Sequence, residues 1–195
     1  MVGTIKDGTG KAYRAKVDKK NRLSTIAVIQ SGGVSAALDG DLYNVNTETI
    51  NLTTTSASSL LYIKNTNLTP WILDRVFYNA GLSTGGTGDF LAEVIANPTE
   101  GTLIDSGTPI VAHNLNLGSN KALVATILKG AEGTTITDGT VRVSTIIPAS
   151  GTRVLIAFDA IIMPAGSSLA IKITPQSGNS AMNIQVGLNL HRFTD

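Results

Sequence analysis

Over most of this chain apolar and polar residues alternate with a period of two, the pattern of strands that bury one face and wet the other. The clearest case is residues 181–190, where Met182, Ile184, Val186, Leu188 and Leu190 share one face. Asn183, Gln185, Gly187, Asn189 and the following His191 share the other. Residues 49–53 alternate in the same way around Ile50 and Leu52, and residues 59–64 carry a Leu-Leu-Tyr-Ile run. Residues 71–78, 109–117, 153–158 and 168–174 read as further strands. Residues 135–137 and 141–147 flank Asp138-Gly139. That pair supplies the positive φ angles of a type I′ turn, so a hairpin is expected there.

Helix signals are few. Asp89 is placed to cap residues 90–96, stopped by Pro98, and Ser119 to cap residues 121–129, stopped by Gly130. The second run is apolar all round and suits a buried strand equally. Gly- and Ser-rich joints at 31–33, 83–88 and 176–179 read as loops between strands. About eight strands at roughly 8–12 residue spacing, with turn signals between them, predict an all-β fold. The expected architecture is a β-sandwich, jelly-roll-like, with an extended N-terminal arm.

Composition narrows this further. At 195 residues the chain fits one domain, or one domain plus an arm. Its 15% of charged residues lies well below the usual ~25%, which argues against long surface helices. The absence of cysteine excludes disulfides, thiol nucleophiles and cysteine-type zinc sites. No stretch approaches the ~20 apolar residues that span a bilayer. The opening residues lack the apolar run of a secretory signal, so a soluble protein made in the cytoplasm, with no membrane partner, is expected.

The net charge of +1 conceals an asymmetry. Lys6, Lys11, Arg14, Lys16, Lys19, Lys20 and Arg22 face only Asp7 and Asp18 within residues 1–22, and the remainder is net acidic. The division expected is a basic extended arm, 1–22, and a single β-sandwich domain, 23–195. In the arm Tyr13, Ala15 and Val17 alternate with Arg14, Lys16 and Asp18. An extended ribbon of that kind suits addition to a sheet edge or an acidic protein surface. Its candidate partner-binding residues are Lys6, Lys11, Tyr13, Arg14, Lys16, Lys19, Lys20 and Arg22. A solvated strand weighs about equally with protein docking, and nucleic acid comes third, since no reader motif accompanies the charge.

Searching for chemistry returns negatives. Gly8-Thr9-Gly10-Lys11 lacks the first glycine of a phosphate loop, Ile5 standing in its place, and Ala12 replaces the hydroxyl residue. His113 and His191 have no accompanying ligand pattern. Asp39 and Asp41 around Gly40 lack the rest of a calcium loop. The expectation is a protein that is not an enzyme, with no catalytic residue, no metal and no cofactor.

GTIKDGTGKAYRAKVDKKNRLSTIAV followed by GDLYNVNTETINLTTTSASSLLYIKN resembles the start of virion structural proteins of tailed bacteriophages. NLNLGSNKALVATILKGAEGTTITDGT and MPAGSSLAIKITPQSGNSAMNIQVGLNL are similar to the second half of that family. The resemblance implies a decoration or cement protein on the outside of a phage capsid, commonly a homotrimer, whose partner is the major capsid protein or another virion protein. It brings no catalytic residues. A tail-fibre, head-fibre or neck component, binding another virion protein or a host-surface glycan, is the alternative. For glycan binding, aromatics such as Tyr62, Trp71 or Tyr78 would have to line a groove. A polysaccharide depolymerase ranks last.

Overall fold

The computed structural model describes residues 4–6, 12–14, 32–53, 56–82, 89–148, 153–176 and 181–192. It comprises two compact units, Met1–Ser31 and Gly32–Asp195. In the first, β1 (Thr4–Lys6) and β2 (Ala12–Arg14) pair antiparallel, with Ile5 opposite Tyr13.

The second unit opens with α1 (Gly32–Asp39), a helix whose first two residues lie in the 31–33 stretch that reads as a loop. Its end is a Schellman motif. The Asp41 N–H donates to the Ala36 carbonyl and the Gly40 N–H to that of Ala37. Gly40 takes a φ of 73° that a side chain resists, and a Cβ there would strike Ser119.

Strands β3 (Leu42–Leu52), β4 (Ser58–Asn65), β5 (Trp71–Leu82) and β6 (Asp89–Ala96) follow. Between β6 and the next long strand lie α2 (Thr102–Ser106), β7 (Thr108–Pro109), β8 (His113–Asn114) and β9 (Ala125–Lys129). The chain ends with β10 (Thr140–Pro148), β11 (Arg153–Met163), β12 (Ser168–Pro175) and β13 (Met182–Arg192).

Two antiparallel sheets form, β10-β6-β12-β4-β9-β7 and β11-β5-β13-β3-β8. With the short β7, β8 and β9 set aside, eight long strands remain and their pairings nest. The first pairs with the eighth, the second with the seventh, the third with the sixth and the fourth with the fifth. That is the jelly roll, a long hairpin wrapped into two sheets, and the expected all-β sandwich is the observed fold.

Alternation builds the core. Phe90, Val94, Ile171 and Ile173 from the six-stranded sheet meet Leu73, Val76, Ile184 and Leu188 from the five-stranded sheet, all buried. Tyr78 and Phe90 touch edge to face at 6.3 Å across the gap. A second, smaller cluster lies on the other side of the six-stranded sheet, where Leu103 of α2 covers Tyr62, Ile95, Leu128 and Ala170.

Three local expectations need correction, and the open alternative at residues 121–129 falls to the strand. Residues 90–96 form a strand, because Phe90, Ala92 and Val94 alternate into the core between β10 and β12. Residues 121–129 resolve to an irregular start and the strand β9. Of residues 109–117 only Pro109, at the end of β7, and His113–Asn114 of β8 are ladder. The hairpin around Asp138-Gly139 does not form, since β10 pairs with β6. Asp138 instead accepts hydrogen bonds from the Thr99 N–H, the Thr99 hydroxyl and the Glu100 N–H. Gly139, at φ 97°, sits against Ile95 and Ala96 with no room for a Cβ.

Candidate binding surfaces

Three surfaces bear on function. The first is the basic N-terminal segment. Lys6 lies in β1, and Tyr13 and Arg14 lie in β2, with Lys6 opposite Ala12 and Arg14 opposite Thr4. Lys11, Lys16, Lys19, Lys20 and Arg22 lie outside the described residues. The pairing of β1 with β2 brings Lys6 and Arg14 to two of the three registered pairs of one hairpin.

The second is a side of the sandwich. At one margin the chain crosses from β7, paired with β9, to β8, paired with β3, and so straps the two sheets together. The Ile110 N–H donates to Ile127 and the Leu115 N–H to Leu42 across that strap. At the other margin the sheets end at β10 and β11, and no further strand pairs with either among the described residues. Their apolar side chains reach solvent: Val141 is 46% exposed, Ile146 63%, Leu155 48% and Ile162 54%. A cavity of about 500 Å³ opens beside them, lined by Arg142, Val143, Ile161, Ile162, Met163 and Leu169 among others. Both strands carry irregularities, between Val141 and Val143 and between Ala157 and Ile161. Such kinks blunt an edge locally but leave the intervening backbone groups open to pairing.

The third is the outer face of the five-stranded sheet. Unlike its counterpart under α2, this face is lined with amides. Asn44 donates to Asn189 at 2.8 Å, and Asn79 donates to Gln185 at 2.7 Å. Asn46 turns back to accept from the Glu48 N–H, where β3 bulges and Glu48 adopts a φ of 62°. The bulge buries Thr47, whose hydroxyl accepts from the Val186 N–H. Two adjoining hollows result, of about 600 Å³ and about 240 Å³, and both are lined by Thr49 and Gln185. Phe77 closes one end of the face. It lies over Gly187, opposite it in the ladder, and the Arg153 guanidinium stacks 4.5 Å from the ring centroid.

The aromatics proposed for a stacking groove are elsewhere. Trp71, Tyr62 and Tyr78 are all buried, and Trp71 packs edge to face on Tyr43 at 5.5 Å. His191 is buried and bonded through Nδ1 to Asp74 at 2.9 Å. Among the described residues no group of three or more His, Asp or Glu converges as a metal site would require. No helix among them is long and apolar enough to cross a membrane.

The polar row from Asn183 to His191 is visible in the sequence, but its neighbours Asn44, Asn46 and Asn79 are not, because adjacency depends on the nested strand order. The open margin of β10 and β11 was missed for the same reason. Runs such as Ser-Thr-Ile-Ile carry the signal, although sequence alone does not say which strand ends a sheet.

No known family model matches the chain. No curated protein matches it either. Among solved structures it is similar to a chain from the structure of infectious bursal disease virus Gx strain, at 11% sequence identity and a TM-score of 0.37. The similarity covers 76% of this chain and 31% of that one, so this chain spans about a third of its length.

Proposed function

We propose that this chain is a structural protein of a virus particle, and within that class a decoration or cement protein bound to the capsid of a tailed bacteriophage as a homotrimer. The observation that carries the reading is the open margin of the jelly roll. Strands of 9 and 11 residues end the two sheets on one side, with Ile146, Leu155 and Ile162 exposed along them. Exposed, unpaired apolar edges in a soluble protein are sites of association. A repeated head-to-tail contact between such an edge and a neighbouring copy closes into a ring when the rotation allows. The sequence resemblance to phage virion proteins selects the setting.

In this reading the sandwich is the rigid block and performs no chemistry. The basic residues of the N-terminal segment, from Lys6 to Arg22, fasten it to the shell, and three copies bind together with a gain from effective concentration. Binding only to the assembled shell stabilises that state against the pressure of packaged DNA by mass action.

The test is the double variant Ile146→Lys with Leu155→Lys. The unaltered chain is expected to run as a trimer by light scattering and to occupy purified particles. The variant is expected to run as a monomer with unchanged far-ultraviolet circular dichroism and to be absent from particles. A monomeric unaltered chain, or a variant that assembles as well as the parent, would overturn the reading.

A further inference from the structure

The amide-lined face of the five-stranded sheet has no part in the association just described, and its chemistry is specific. Most solvated protein surfaces are kept so by charge, with ~25–35% of their residues Lys, Arg, Glu or Asp. The two hollows here are lined instead by Asn44, Asn46, Thr49, Asn79, Asn183 and Gln185. Among the described residues Glu48 is the one carboxylate in those linings, and it is paired with Lys129 at 3.0 Å. The described linings therefore offer many hydrogen-bonding groups and little net charge, with Arg75, opposite Asn189, and Arg153, opposite Asn79, as neighbouring cations in the ladder.

Each amide presents two donors and one acceptor, the complement of a hydroxyl that both gives and takes. The cross-strand bonds of Asn44 to Asn189 and of Asn79 to Gln185 hold these groups in place before any ligand arrives, which lowers the ordering cost of binding. The larger hollow, at about 600 Å³, falls within the ~300–1,000 Å³ range of small-molecule sites, and the smaller continues it past Thr49 and Gln185. Among the described residues no Phe, Tyr or Trp lines either hollow, so the apolar faces of a ring rest instead on Pro109, Ile110 and Val111 of the strap segment.

We infer that this groove binds a neutral glycan, an uncharged chain of hexose or N-acetylhexosamine units laid across β13 and β3. An anionic polymer is disfavoured, because among the described residues no Lys or Arg lines either hollow, and Arg153 beside them is stacked on Phe77. The proposal stands apart from the capsid reading, since a glycan site here needs neither a trimer nor a shell.

The experiment uses the full chain, labelled with nitrogen-15, and four neutral probes: cellohexaose, maltohexaose, hexa-N-acetylchitohexaose and mannohexaose, with a heparin hexasaccharide as the charged comparison. At least one neutral probe is expected to shift the side-chain amide signals of Asn46, Asn79, Asn183 and Gln185 saturably. The paired variant Asn79→Leu with Gln185→Leu removes both members of one bond and so leaves no orphaned donor. It should weaken that binding at least tenfold while the melting temperature stays near the parent's. The proposal is overturned if none of the four neutral probes binds, if the heparin hexasaccharide binds as tightly, or if the folded paired variant binds unchanged.

Discussion

Replacing Gly187 by alanine tests how the outer face of the five-stranded sheet is held. A Cβ at Gly187 would clash with Cζ and Cε2 of the Phe77 ring, which is 4% exposed and lies between Gly187 and the Arg153 guanidinium. The ring must swing out. Losing its burial costs about 2 kcal/mol, and losing the cation–π contact costs about 0.5–1 kcal/mol more. Alanine returns about 0.5–1 kcal/mol, because glycine in a strand carries an entropic cost. The net expectation for Gly187→Ala is a loss of about 2 kcal/mol. Phe77→Ala alone should cost about 3 kcal/mol, the low end for a buried Phe. Once that ring is gone, the same Gly187→Ala change has nothing to strike and should stabilise by about 0.5–1 kcal/mol. The two changes are thus coupled by about 3 kcal/mol. Urea denaturation of the parent, both single variants and the double variant reads this directly, with midpoints moving while the slope stays constant. Additivity within about 0.5 kcal/mol, the behaviour of independent sites, would refute the reasoning.

Two further predictions follow from separate parts of the molecule. The Asp138 carboxyl is held below its ordinary value by the Thr99 hydroxyl first and then by the Glu100 and Thr99 N–H groups. A depressed folded-state pKa gives stability that is present above the unfolded value and is lost as pH falls through the folded one. The parent should therefore lose more stability than Asp138→Asn between pH 5 and pH 2, and parallel pH curves for the two would count against it. Deleting residues 1–22 should leave the melting temperature of the sandwich within about 2 °C of the parent, since Gly32–Asp195 is compact in itself. The truncated chain should lose its place on particles, and undiminished occupancy would remove the arm from the account.

What the sequence reveals and what it hides divide along a physical line. Burial is written locally, so the strands around Ile50 and Ile184 are legible from alternation and the strand around Leu61 from its continuous apolar run. Helix α1 was missed because Gly32 and Gly33 look like a break, although Ala36 to Gly40 carries the helix-end signature that the Schellman motif uses. The segment 90–96 satisfies both helical and strand periods, and the decision came from β10 and β12 on either side of it. Asp138-Gly139 has turn chemistry, yet Thr99 and Glu100 claim its carboxylate. The amide groove is half legible. The row on β13 reads as a wet face, while its partners on β3 and β5 arrive only through pairings between residues far apart in the chain.

The proposal that this chain decorates a capsid is addressed without intermediaries by electron cryomicroscopy of virus particles purified from cells that produce it. The account predicts threefold clusters of a two-sheet body on the outer surface of the head, with the β10 and β11 margins turned toward neighbouring copies and the N-terminal segment against the shell. Heads lacking that density, or the same body found solely within the tail, would contradict it.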